Sequence, residues 1–215
     1  MSVRIVLAED HHLVRKGLCA LINEKDGLQV VGEADTGKAA VRLALELTPD
    51  LVIMDVTMPE LNGVEATRQI RRRRPRTRIL ALSMHRDPLF ITEMLKAGAS
   101  GYLLKTCIVS EFTRAIEVVM AGQTYLSPDI AGVVAEVLAH PEAGSSLLSG
   151  LTPVQRQVLQ LLAEGLTTKQ AALRLGRSVK TVEMHRRHVM EKLGVSGIAN
   201  LTKLALRAGL ITSDS

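Results

Sequence analysis

The chain of 215 residues is 47% hydrophobic and 23% charged, which excludes a protein that is disordered throughout. Four residues are aromatic and none of them is Trp, which excludes a protein that binds single-stranded nucleic acid by stacking bases on rows of aromatic side chains. The two Cys are too few for a Cys-rich zinc site or a disulfide framework. Residues 151–215 carry ten basic and four acidic side chains, and this excess of positive charge indicates a polyanionic partner such as nucleic acid.

The N-terminal segment reads as a strand rather than a signal peptide, because the strand-like stretch Arg4–Ala8 is followed directly by Glu9 and Asp10. The longest apolar runs, Gly17–Ile22 and Ile130–Ala135, are too short to span a bilayer. We therefore expect a cytoplasmic protein with no membrane partner.

Residues 1–126 alternate between strand-like and helix-like patterns. Between the apolar runs, spacings of three and four residues predict helices. Such alternation predicts an α/β domain with a doubly wound, five-stranded parallel sheet. The five predicted strands are Arg4–Ala8, Leu28–Val31, Leu51–Met54, Arg78–Leu82 and Gly101–Leu104.

The rest of the chain contains no strand pattern. Residues 127–150 read as a linker with one short helix, which begins at Ser127-Pro128 and runs to about Ala139. Residues 151–215 read as an all-α domain of four helices. The second helix, a short turn containing Gly176 and a longer basic third helix match the helix-turn-helix pattern.

Polar side chains follow the predicted strands at one edge of the sheet, where ligands bind in folds of this class. Glu9 and Asp10 follow the first strand and Asp55 follows the third. Three converging carboxylates repel each other unless a cation lies among them, and an all-oxygen site favours Mg²⁺. Ser83 and Lys105 follow the fourth and fifth strands, and this combination suits phosphoryl transfer onto an aspartate.

The motifs Glu9-Asp10-His11, Asp55-Val-Thr-Met-Pro59, Ser83 and Gly101-Tyr-Leu-Leu-Lys105 resemble the receiver domain of two-component response regulators. The stretch from Leu151 to Gly194 resembles the LuxR-type helix-turn-helix. The order of the two domains is that of the NarL/FixJ family. The resemblance implies a flavodoxin-like receiver, a regulator of transcription rather than an enzyme, and a cognate sensor histidine kinase as the phosphodonor.

The resemblance also implies a role for each residue at the strand ends. Asp55 would be the phosphoacceptor, and Lys105 would pair with the phosphoryl group. Ser83 would move to bind it, and Tyr102 would follow inward as a switch. The metal ligands would be Asp10 directly, Glu9 through a water, Asp55, and the main-chain oxygen of Thr57.

The third helix of the C-terminal domain presents its polar face to DNA if Val182 faces the core. Arg187 then suits guanine, Glu183 suits cytosine and Met184 suits a thymine methyl group in the major groove of double-stranded DNA. The family's base-facing positions match these three. The residues better placed for phosphates are Lys180, Thr181, Arg186 and Lys192.

The last helix carries more apolar residues than one small domain needs, and this predicts a dimer seam, with a homodimer expected on phosphorylation. The residues of this seam would be Ile198, Leu201, Leu204, Ala205 and Ala208.

Two other functions remain open from the sequence. A phosphatase would use Asp55 as its nucleophile, but Thr57 stands where such enzymes carry a second aspartate as general acid. A phosphorylation-independent adaptor would more often lack part of the acidic site.

Overall fold

The computed structural model describes residues 2–84, 86–139, 148, 150–208 and 210–211. The chain divides into two compact units, Met1–Gly144 and Ser145–Ser215.

The N-terminal unit is a parallel sheet flanked by helices. The strand order is β2-β1-β3-β4-β5-β6. The strands are β1 (Val3–Ala8), β2 (Leu28–Ala34), β3 (Leu51–Asp55), β4 (Arg78–Ser83), β5 (Gly101–Leu104) and β6 (Tyr125–Leu126). The helices are α1 (His12–Asn23), α2 (Gly37–Leu47), α3 (Gly63–Arg73), α4 (Pro88–Lys96), α5 (Ile108–Met120) and α6 (Pro128–Ala139), and a 3-10 turn covers Lys105–Cys107.

Both faces of the sheet are buried, as the almost uninterrupted apolar strands require. Val6 and Val52 belong to the core on one face, whereas Ile5 and Ile53 belong to the core on the other. This alternation follows from the two-residue period of a strand. All four aromatic side chains are buried within an otherwise aliphatic core.

The sheet has six strands, so the five-strand prediction was one strand short. Tyr125 and Leu126 pair in parallel with Gly101 and Tyr102. Two residues are too few to show an alternating pattern, and the pairing extends a strand edge that only the folded sheet provides. The backbone N–H of Tyr125 adds a hydrogen bond to the Ser100 carbonyl.

Helix α6 packs against α4 and β5, and its Ile130 is completely buried. The helix has the bounds that the sequence predicts, but it lies in the N-terminal unit, whereas the sequence analysis placed it in the linker. The reason is tertiary: the buried face of α6 is complementary to a surface formed by two distant segments.

The described residues of the C-terminal unit form four helices, as predicted: α7 (Pro153–Ala163), α8 (Thr168–Leu175), α9 (Val179–Leu193) and α10 (Ile198–Arg207). Thr152 and Thr167 begin α7 and α8 with capping boxes, and Ser178 caps α9. Gly176 and Gly194 end α8 and α9 in the left-handed conformation that glycine adopts without strain.

The predicted dimer seam on α10 is largely part of this unit's own core. Leu201, Ala205 and Ala208 are buried, and α10 packs on α7. Ile198 and Leu206 are the large apolar side chains of α10 that remain exposed among the described residues. Most of the apolar residues that the sequence shows on this helix are therefore buried within their own domain.

Candidate functional site

Three carboxylates meet at the carboxyl ends of β1 and β3. These strands are neighbours, with Ala8 opposite Met54, so the residues that follow β1 lie beside the last residue of β3. Ligand atoms of Glu9, Asp10, His11 and Asp55 all lie within 4.8 Å of one another. Glu9 and Asp55 are buried and Asp10 is partly exposed, so the cluster opens to solvent on the side of Asp10.

Lys105 lies against two of these carboxylates. Its Nζ is 2.8 Å from Asp55 Oδ2 and 2.7 Å from Glu9 Oε2. Burial opposes the lysine charge, but the two carboxylates outweigh it and raise the pKa of Lys105 above its ordinary value. Burial raises the pKa of Asp55 to about 7, and the ammonium of Lys105 opposes this shift.

The donor set of this cluster fits a hard divalent cation. All three carboxylates offer oxygen ligands, which such cations prefer. Glu9 Oε2 is buried and accepts no hydrogen bond with good geometry from the described residues, although Lys105 Nζ lies close by. A cation beside these oxygens would relieve the repulsion among the carboxylates.

Ser83 ends β4 and is buried at the same edge of the sheet. Tyr102 is completely buried, and its hydroxyl is hydrogen-bonded to Ser83. Burial raises the pKa of Tyr102 well above its ordinary range, so the hydroxyl is protonated. The family resemblance implies that Tyr102 moves inward on phosphorylation, and in this structure its side chain is already completely buried.

The backbone N–H of Thr57 lies 3.4 Å from Asp55 Oδ1 and donates to it. This hydrogen bond places the Thr57 backbone beside the Asp55 carboxylate. The predicted role of the Thr57 carbonyl as a metal ligand remains a prediction.

His11 is a member of the cluster to which the sequence analysis gave no role. Its Nδ1 is 2.8 Å from Asp10 Oδ1 and 3.3 Å from Glu9 Oε1. The Asp10 carboxylate is the main reason that the pKa of His11 is raised. The sequence does show that His11 directly follows the two acids. An exposed imidazole next to acids is common on protein surfaces, so this position alone does not indicate a role in the cluster.

A second candidate site lies on α9 in the C-terminal unit. Val182 and Val189 are buried, as the helical geometry predicts, and Glu183, Met184 and Arg187 are exposed together. Lys180 is exposed, and Thr181 and Arg186 are partly exposed. The structure therefore presents the three predicted base-reading side chains on one accessible face.

Lys192 has a different environment from the other predicted phosphate-binding residues. Its Nζ donates to the Gly150 carbonyl at 2.8 Å and to Gln155 Oε1 at 3.1 Å. These hydrogen bonds join the end of α9 to the beginning of α7. The predicted phosphate contact of Lys192 remains a prediction, and the observed contacts are structural.

Comparison with known families covers both units. Residues 5–117 match the response regulator receiver domain, and residues 149–205 match the bacterial regulatory proteins of the luxR family. The chain is a LuxR-type response regulator. Members of this family are regulators of transcription rather than enzymes, and this response regulator is phosphorylated in its receiver and binds DNA through its helix-turn-helix.

Two response regulators align with almost the whole of this chain. The response regulator GacA of Pseudomonas viridiflava is 36% identical over 213 residues, which are 99% of this chain and 100% of GacA. The response regulator UvrY of Escherichia coli K12 is 34% identical over 213 residues, 99% of this chain and 98% of UvrY.

Solved structures agree with the fold. A LuxR-family response regulator from Aurantimonas shares 43% identity, with a TM-score of 0.62, over 65% of this chain and 100% of that chain. RcsB of Salmonella enterica serovar Typhimurium, bound to a promoter, has 24% identity and a TM-score of 0.63 over 95% of this chain and 98% of RcsB, which supports the fold alone. None of the described helices is both long and apolar enough to cross a bilayer.

Proposed function

We propose that this response regulator accepts its phosphoryl group on Asp55. The observation that carries the assignment is the ion pair of 2.8 Å between Asp55 and Lys105 within the acidic cluster. An Asp55 carboxylate oxygen attacks the phosphorus of a phosphohistidine on the cognate sensor histidine kinase. The phosphorus–nitrogen bond breaks, the electron pair leaves with the imidazole, and an acyl phosphate remains on Asp55.

The surrounding residues bind and orient the transferred group. The Lys105 ammonium pairs with a phosphoryl oxygen, and the Ser83 hydroxyl donates a hydrogen bond to another. Tyr102 follows Ser83, because the two hydroxyl groups are hydrogen-bonded to each other.

The acidic cluster would hold Mg²⁺ with Asp10 and Asp55 as direct ligands and Glu9 acting through a water. The main-chain carbonyl oxygen of Thr57 would be a further ligand. The bound ion supplies positive charge that offsets the charge developing on the phosphoryl oxygens.

Double-stranded DNA is the proposed partner of the exposed face of α9. Arg187 would read guanine, Glu183 would accept from cytosine, and Met184 would contact a thymine methyl group. Lys180, Thr181 and Arg186 would hold phosphates, which fix the register of the helix without reading sequence. Because its partner is chromosomal DNA, the regulator would act in the cytoplasm.

Phosphorylation would favour a homodimer, since two linked half-site contacts bind more tightly than one. A coupling free energy of about 1–3 kcal/mol, roughly 5–150-fold in DNA affinity, is the usual scale for such control. Sedimentation and DNA binding with and without a phosphodonor measure both changes, and equal affinity and equal mass in the two states would contradict this coupling.

The acceptor assignment is tested with acetyl phosphate and Mg²⁺. Mass spectrometry should show one added phosphoryl group on the wild type and none on Asp55→Asn, because an amide is not a competent nucleophile. Chelation of the metal should also stop labelling. An adduct on Asp55→Asn would refute the assignment.

A further inference from the structure

Six arginines lie between residues 71 and 78, at the end of the receiver sheet opposite Asp55. They begin in the last turn of α3 and end at the start of β4. With the loop Thr48–Asp50 before β3, Arg73, Arg74 and Arg76 line a groove of about 390 Å³. This feature plays no part in the phosphoacceptor site, which lies at the other ends of the same strands.

Two arginines of the run, of which Arg74 lines the groove, donate hydrogen bonds to backbone carbonyls. Arg71 donates to the Thr77 carbonyl at 3.0 Å, and Arg74 donates to the Leu45 carbonyl at 2.9 Å. Both hydrogen bonds hold a turn or a helix end in place. These side chains therefore have structural partners.

The other exposed arginines of the run have none. Arg72, Arg73 and Arg76 are exposed, and no carboxylate in the described part of the chain pairs with them. Asp50 is the carboxylate that lines the groove, and its Oδ2 already accepts a hydrogen bond of 2.8 Å from the Arg4 backbone. The groove consequently offers guanidinium donors and an excess of positive charge.

We propose that this arginine groove is a second DNA-contacting surface, which binds backbone phosphates and lies on the receiver domain. The planar fork of arginine matches two phosphate oxygens at once, and all six basic residues of the run are arginine. An acidic protein segment fits less well, because protein interfaces depend on apolar anchors and the described lining has no aliphatic or aromatic side chain apart from proline rings. The inference rests on DNA binding by the LuxR-type domain, which brings a long polyanion to the same molecule.

Contacts of this kind add affinity without sequence preference, so they are measured on random-sequence duplex DNA. The full-length double variant Arg73→Gln/Arg76→Gln removes two unpaired guanidinium groups and leaves Arg71 and Arg74 in place. The matched control Arg42→Gln/Arg114→Gln removes the same charge from exposed positions on α2 and α5 that do not line the groove. Thermal unfolding and labelling by acetyl phosphate verify that each variant is folded.

The readout is the slope of the logarithm of DNA affinity against the logarithm of salt concentration. Each lost phosphate contact lowers the slope by about 0.9, so the groove variant should flatten it by about 2 and the control should leave it unchanged. The single variants Arg73→Gln and Arg76→Gln should each give about half of that effect. A slope equal to that of the wild type, or an equal loss in the control, would overturn the proposal.

The variant Lys180→Ala separates this inference from the proposed role of α9. The slope of its DNA affinity against salt concentration should fall by about one unit, whether or not the arginine groove contacts DNA. If Lys180→Ala changes the slope and the groove variant does not, the helix-turn-helix binds DNA as proposed and the arginine groove belongs to another partner.

Discussion

The backbone N–H of Ser127 donates a hydrogen bond of 3.1 Å to the carbonyl of Tyr102. The residue that precedes α6 is thus hydrogen-bonded to the β5 residue whose hydroxyl contacts Ser83 at the proposed phosphorylation site. Arg86, in the loop before α4, forms an ion pair of 2.9 Å with Asp129 in the first turn of α6. Helix α6 is consequently attached to the strand that carries Tyr102 and to the loop that follows Ser83.

Replacing Ile130 should loosen this attachment. The side chain is completely buried, so Ile130→Ala should lower the free energy of unfolding by about 2–5 kcal/mol. Both partners of the Arg86–Asp129 ion pair are largely exposed, and Asp129→Asn should therefore cost less than about 1 kcal/mol. Denaturant unfolding of the full chain measures both variants, and similar losses would show that the exposed ion pair holds α6 as strongly as the buried contact does.

The stability of the metal-free protein should depend on pH through Asp55. Its pKa is raised from 3.8 to about 7 in the folded state, so the folded state binds more protons than the unfolded state between these values. The contribution of Asp55 is therefore unfavourable above pH 7 and disappears as the pH falls towards 3.8. Asp55→Asn should be more stable than the wild type above pH 7, and the difference should shrink in acid.

Thermal unfolding in a chelating buffer measures this difference between the wild type and Asp55→Asn. Mg²⁺ should stabilise the wild type by mass action and stabilise the variant much less, because one carboxylate ligand is lost. A variant that is less stable than the wild type above pH 7 would mean that the ion pair with Lys105 outweighs the burial of the charge.

The variants Arg187→Ala and Lys180→Ala should affect DNA binding in different ways. Loss of a bidentate contact with guanine should cost about 1–3 kcal/mol and relax the preference at one base pair. Loss of a phosphate contact at Lys180 should weaken binding to all sequences alike. Selection of bound fragments from a random pool measures the preference, and two sequence-blind losses would remove Arg187 from base reading.

Lys192→Ala should act mainly on the stability of the C-terminal unit. The variant loses the hydrogen bonds to Gly150 and Gln155, each worth about 0.5–1.5 kcal/mol, so the unit should unfold at a lower temperature. Its salt slope for DNA binding should match that of the wild type. A slope reduced by about one unit would instead restore the phosphate contact that the sequence predicts.

Much of this protein follows from local sequence. The apolar runs predicted five of the six strands in the described sheet. In the structure Thr152, Thr167 and Ser178 cap three of the four described C-terminal helices, and each cap stands next to its helix in the sequence. These features were predictable because strand period, helix caps and left-handed glycines depend on residues close together in the chain. The expected cluster of Glu9, Asp10 and Asp55 follows from the same logic, since parallel strands bring their carboxyl ends to one edge.

Tertiary structure alone decided the features that depend on distant partners. Strand β6 exists because β5 offers an unpaired edge, and α6 lies in the N-terminal unit because Ile130 finds a buried position there. The spacing of Leu201 and Ala205 would equally suit a dimer interface, yet both side chains are buried within their own domain. The hydrogen bonds of Lys192 to Gly150 and Gln155 likewise join residues far apart in the chain, so the sequence pattern does not show them. The sequence pattern specifies which faces are apolar or charged, whereas the partner that covers each face depends on contacts between residues far apart in the chain.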